Sequence, residues 1–247
     1  MRVGLTYTQM KLGWGYKRLD ELKREVAEFR KDSYIIRTDD DVEKSRYRLY
    51  IEQKITPDAI GMLVGEFAFA IRSSLDHLAW QLALLTTDKP RRQTAFPVES
   101  QMPLPTNKGY RDKVADILPK ALVTIDSFQP YHSGSRFKEH PLWQLNRLCN
   151  IDKHQVVAVG HIPYSVHVHG TVSGCWWRDM PNGFEISVPL AEKAEFKMEV
   201  DCPRIVFGEP ITKTNAVADF EIDTDGLDRI YSFLRNDLVP RFECFFT

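Results

Sequence analysis

The segment from Thr56 to Thr86, TPDAIGMLVGEFAFAIRSSLDHLAWQLALLT, constrains this chain more than any other. Thr56 is placed to cap a helix and Pro57 to open it, since a proline at the first helical position gives up no hydrogen bond. At about 100° per residue, Ile60, Val64, Phe67, Ile71, Leu75, Leu78, Leu82 and Leu85 share one face. The opposite side is not polar. It holds Met62, Phe69, Trp80 and Leu84, with Gly65, Ala68, Ala79 and Ala83 along one flank. A helix that is apolar nearly all round is buried from both sides. The sequence therefore predicts a second partner for it, either another helix of the chain or a second copy of the protein.

The surrounding patterns assemble an α+β chain. Leu19, Leu22, Val26 and Phe29 predict a helix over residues 16–31. SYIIRT and RYRLYIEQKI flank the acidic turn DDDVEKS and read as a β-hairpin near 34–55. After the long helix comes a proline-rich connector, residues 88–106, and then a helical stretch over 108–127 broken or bent at Pro119. QPYHSGSRFKEH reads as a loop, and Pro141 opens a helix, PLWQLNRLCNIDKH. From Gln155 the chain turns into short β-branched runs punctuated by Gly, Pro and Asn, an antiparallel region of five strands. DTDG at 223–226 starts a last helix, which Pro240 bends. The expected organisation is a helical bundle, residues 1–155 plus 223–247, carrying the hairpin. An antiparallel β region, residues 156–222, is inserted before the C-terminal helix and packs on the bundle.

Bulk properties exclude several classes. With 247 residues, 43% hydrophobic and 27% charged, the chain can bury a sizeable core and is not disordered by composition. A net charge of −1 gives no global attraction to a polyanion, so any such contact must be local. The start, MRVGLTYTQMKLGWG, lacks the apolar run of a signal peptide, and no stretch is apolar and long enough to span a membrane. The expectation is a cytoplasmic protein. Cys149, Cys175, Cys202 and Cys244 are too scattered for a zinc site or a disulfide framework and read as buried free thiols.

Arg72, Ser73, Asp76 and His77 interrupt the second face of the long helix. Buried without compensation they would be costly, so they need partners: each other, another chain or a ligand. Arg72 and Asp76 are one turn apart and can form a helix salt bridge, which leaves His77 as a satisfied core histidine. The functional reading starts from Arg72-Ser-Ser-Leu-Asp-His77, which resembles the Arg-x-x-x-x-His element of the HEPN superfamily (higher eukaryotes and prokaryotes nucleotide-binding). Ser73 stands where that family more usually has Asn, and the β region is a large addition to its compact bundle. The resemblance implies a homodimer whose facing Arg and His form a composite, metal-independent ribonuclease site needing no cofactor. His77 would be the acid/base and Arg72 the phosphate stabiliser, with Asp76 orienting one of them. Arg72 and His77 project about 140° apart on a straight helix, so one copy does not easily converge them on a single atom and two facing copies could.

The helix PLWQLNRLCNIDKH adds a polar wall. Trp143, Arg147, Asn150 and His154 share one face, and Asn146 and Lys153 lie beside it. These residues either satisfy the helix C-terminus, where cations are favoured, or hold a phosphate and stack a base. Ser73, Trp143, Arg147, Asn150, Lys153 and His154 are therefore the candidate substrate-binding residues. His167 and His169 share a strand face near His161 and Cys175, a possible metal pair without a carboxylate partner. KPRR with Lys108 and Arg111 is a local basic patch and reads more simply as a solvated loop. Three functions stay open: a HEPN-like endoribonuclease, a non-catalytic HEPN-like protein that binds a nucleotide, RNA or protein, and a metal site on the β region.

Overall fold

In a computed structural model of the chain, the long helix runs from Asp58 to Ala83 (α2). The structure describes residues 4–154, 157–162, 166–169, 173–180, 183–194, 196–200, 204–209 and 220–247. Cys202, the side chains of His161, His167 and His169, and residues 210–219 of the expected β region lie outside the described residues.

The first helix, α1, spans Thr6–Lys31 and so begins well before residue 16. Leu5, Thr8, Leu12, Leu19, Leu22 and Val26 are buried at helical spacing. Gly15 completes that stripe as a point of close approach, because a Cβ there would stand 2.4 Å from Ile71 Cδ1. The helix runs antiparallel to α2, with the Gly4 amide donating to Gln81 Oε1 at 3.0 Å near one end and Arg18 meeting Glu66 at 3.3 Å near the other.

The remaining elements follow in chain order. β1 (Tyr34–Asp41) and β2 (Arg46–Gln53) form the expected hairpin. Beyond the connector lie α3 (Lys108–Val114) and α4 (Pro119–Ser127), separated ahead of Pro119 as the sequence predicts. The expected loop at 130–139 is instead a run of 3-10 turns with a break at Gly134, where φ is 57°. Each i→i+3 turn is compatible with Pro130 at its start and needs no periodic apolar signal, so hydropathy does not reveal it. α5 spans Pro141–His154. Among the described residues seven strands follow, against the five expected: β3 (Ala158–Ile162), β4 (Val166–His169), β5 (Trp176–Met180), β6 (Gly183–Pro189), β7 (Lys197–Val200), β8 (Arg204–Gly208) and β9 (Glu221–Ile222). α6 (Thr224–Ser232) starts where DTDG predicts, with Asp223 Oδ1 accepting from the Gly226 amide at 2.9 Å. It continues through a π-helical turn, residues 233–238, into 3-10 turns past Pro240.

The chain divides into two units. The helical unit takes Met1–Lys23, Gly61–Val159 and Phe207–Thr247. Its core contains Leu19, Phe67, Ile71, Leu75, Phe96, Leu145, Leu234 and Phe242. The second unit takes Arg24–Ile60 and Gly160–Val206. Its main sheet has the order β1-β2-β6-β5, all antiparallel neighbours. The hairpin that the sequence assigned to the bundle is thus part of this sheet, with Leu49 opposite Ile186 and Tyr47 opposite Val188. Leu49, Ile51, Ile186 and Val188 are buried on one face, and that apolar pairing fixes the register. Among the described residues, no helix is long and apolar enough to cross a membrane.

Candidate functional site

Arg72 and Asp76 both engage the connector that follows α2. Arg72 Nη2 donates to the Phe96 carbonyl at 2.8 Å, and Asp76 Oδ1 accepts from the Phe96 amide at 3.1 Å. Arg72 Nη1 lies 2.8 Å from Asp76 Oδ1, an ion contact without hydrogen-bond directionality, since that buried nitrogen has no hydrogen-bond partner. The pair clamps one residue of the proline-rich connector onto α2. Phe96 belongs to no helix or strand and is buried, so its backbone groups need partners of this kind.

His77 is placed differently. It is half-buried and lines a cleft of about 410 Å³ with Ser73, Asp76, Trp80, Tyr7 and Thr94. The Tyr7 ring stacks on the imidazole at 6.2 Å between centroids. The Asp76 carboxylate is partly open to solvent while it serves Phe96. The Thr94 hydroxyl is buried without a hydrogen-bond partner. Imidazole, carboxylate and hydroxyl groups over an indole make a cleft of the size that holds small ligands.

The second side of α2 is covered only in part: Ala68, Ala79 and Ala83 on its flank are buried, but the large residues at its start are not. Met62 and Phe69 are 62% and 55% exposed, and on the neighbouring α1 Met10 and Trp14 are 64% and 52% exposed. Half-exposed Tyr7, on the same helix as Met10 and Trp14, lines the His77 cleft, while Lys11 lies over the Phe69 ring and Arg18 over the Trp14 ring. Exposed large apolar side chains grouped on two neighbouring helices mark an interaction surface.

The α5 candidates separate. Trp143 is held edge-on by Phe137 and Phe220, with centroids at 5.8 and 5.6 Å, so its faces are not a free stacking platform. Arg147 forms an ion pair with Glu209. Asn150, Lys153 and His154 are exposed on the last turn, where cations offset the helix dipole. Burial pushes the Cys149 thiol up, against the opposing pull of Lys153 and Arg72. None of the α5 candidates lines the His77 cleft. Among the described residues no group of three potential metal ligands converges.

Sequence reasoning missed Tyr7, Gln81 and Thr94 as cleft residues. Gln81 is one turn beyond His77 and was within reach of a helical-wheel argument. Tyr7 and Thr94 arrive from α1 and the connector, and nothing local marks them. No family model matches the chain, and neither a curated protein nor a solved structure is detectably similar to it.

Proposed function

We propose that the helical unit is HEPN-like and that its His77 cleft binds RNA or a nucleotide at the interface of a homodimer. The observation that carries this reading is the division of labour within Arg72-Ser-Ser-Leu-Asp-His77. His77 and Ser73 face the cleft, whereas Arg72 is committed to Asp76 and the Phe96 carbonyl. A guanidinium whose charge is already taken up by Asp76 is poorly placed to hold a phosphate, so the cleft is better suited to binding than to cleavage. The exposed apolar group of Met10, Trp14, Met62 and Phe69 supports a second copy as its cover.

A second reading is favoured by the access His77 has to the cleft beside Asp76: a metal-independent endoribonuclease. In it, His77 takes the proton of an RNA 2′-hydroxyl as that oxygen attacks the adjacent phosphorus. The bond to the 5′-oxygen breaks, that oxygen leaves with a proton, and a 2′,3′-cyclic phosphate remains. This requires Arg72 to release Phe96 and face the partner's cleft.

One experiment separates the readings. Purified protein and its His77→Ala variant are incubated with single-stranded RNA in EDTA, and both bound fraction and end chemistry are recorded. The binding reading expects intact RNA, held less tightly by the variant. Cyclic-phosphate ends that disappear in His77→Ala establish the ribonuclease. No binding and no cleavage by a folded protein would overturn both.

A further inference from the structure

The main sheet of the second unit has a polar face opposite its buried one. In the observed register, Arg48 on β2 and Trp176 on β5 both stand opposite Ser187 of β6, and Tyr50 and Arg178 both stand opposite Glu185. All these side chains therefore project to the same side. Glu185 and Ser187 are nonetheless buried, because long side chains from the flanking strands close over them. They form the floor of a pocket of about 610 Å³ whose walls include Lys44, Arg46, Arg48, Arg178 and Trp176.

The charges on this face do not cancel. Glu185 accepts from Arg178 at 2.6 Å and lies 3.8 Å from Arg48. Arg48 also pairs with Asp41, which Lys44 approaches at 3.8 Å. Asp39 stands opposite Arg48 on β1. Arg46 has Asp41 as its strand neighbour but reaches instead to neutral oxygens: Ser187 Oγ at 2.8 Å, Ser187 O at 2.9 Å and Gly174 O at 3.1 Å. Its guanidinium is thus fixed in place, and among the described residues no carboxylate pairs with it. Beside these cations the Trp176 ring is 48% exposed, with the Arg178 guanidinium 5.9 Å from its centroid.

Fixed guanidiniums bind phosphate with little ordering cost, and an open indole offers a face on which any base stacks. We propose that this sheet face is a nucleoside-phosphate site that receives single-stranded RNA, with phosphate on Arg46 and Lys44 and a base against Trp176. The inference takes RNA as the polyanion from the reading above but is independent of the His77 cleft.

The test uses the full chain and a fluorescent single-stranded RNA on the order of ten nucleotides long, followed by anisotropy at several salt concentrations. Trp176→Ala and Lys44→Glu change exposed side chains and leave the core face intact, and thermal melting checks that both remain folded. Each variant is expected to bind roughly tenfold or more weakly. Lys44→Glu is also expected to flatten the salt dependence, and His77→Ala to leave this component of binding unchanged. Competition by a 5′-mononucleotide with the same sensitivity to Trp176→Ala would assign the site to free nucleotides rather than to a strand. If folded Trp176→Ala and Lys44→Glu bind as the wild type does, the proposal is wrong. If binding is lost only in His77→Ala, the cleft reading survives and the sheet site does not.

Discussion

Arg72 and Asp76 stand one turn apart on α2 and between them satisfy the carbonyl and the amide of a single residue, Phe96. Asp76→Ala removes the acceptor for a buried amide and leaves Arg72 without its counter-charge. We expect a loss of roughly 2–3 kcal/mol, because both a charged hydrogen bond and its desolvated partner are affected. Asp76→Asn keeps an acceptor and should cost less. Urea unfolding of the two variants checks the order, and equal midpoints would argue against the clamp.

His140 supplies a pH dependence. Burial, and then the neighbouring His132, lower its pKa from the ordinary 6.5. Its Nδ1 accepts from the Leu142 amide at 3.2 Å, capping the start of α5, which only the unprotonated nitrogen can do. The unfolded chain therefore binds a proton at a higher pH than the folded chain. Stability contributed by this group is complete above the unfolded value and is lost as pH falls below it, toward the folded pKa. His140→Asn retains a capping acceptor that does not titrate. Unfolding measured between about pH 5 and 8 should show a shallower acid-side decline in this variant.

The exposed apolar group on α1 and α2 gives a prediction about mass. If a second copy covers it, Phe69→Asp places a charge in that interface at a side chain already 55% exposed in the monomer. Sedimentation velocity should then show a dimer for the wild type and a monomer for the variant. A wild type that sediments as a monomer at all concentrations would remove the dimer from the proposed function.

Gly61 offers a test of backbone packing. Alanine is ordinarily about 1 kcal/mol better than glycine inside a helix. A Cβ at Gly61, however, would stand 2.7 Å from the Val157 carbonyl oxygen, a backbone atom that cannot rotate away. Gly61→Ala should therefore destabilise, by about 1–3 kcal/mol, as overpacking does. A rise in melting temperature would show that the chain around Val157 yields.

Elements with their own signals were legible in the sequence. The apolar period of α2, the Pro141 start of α5, the division ahead of Pro119 and the Asp223 cap are all local patterns, and the structure has each of them. The front of α1 was hidden because Thr8 and Gly15 occupy buried positions where a hydropathy pattern expects large apolar side chains. The site divides in the same way. Ser73, Asp76 and His77 could be singled out as charged or polar groups on an apolar helix. The Phe96 clamp could not, because a backbone amide and carbonyl leave no trace in residue identity. Trp143 and Arg147 looked available on the α5 wheel, and their partners Phe220 and Glu209 come from a segment far along the chain.

The hold on Phe96 also changes what kind of tether joins α2 to α3. Next to it Ala95 donates to the Lys113 carbonyl at 3.2 Å, and Gln129 binds the Pro97 carbonyl at 3.0 Å and the Glu99 amide at 2.9 Å. The stretch from Leu84 to Asn107 is thus two short spans hung from a fixed post. Closing two short spans costs little more chain entropy as either one lengthens. Extra residues spliced in at Asp88 and Lys89 would bulge outward on their own side of the post, and the path from Thr94 to Glu99 would keep its course.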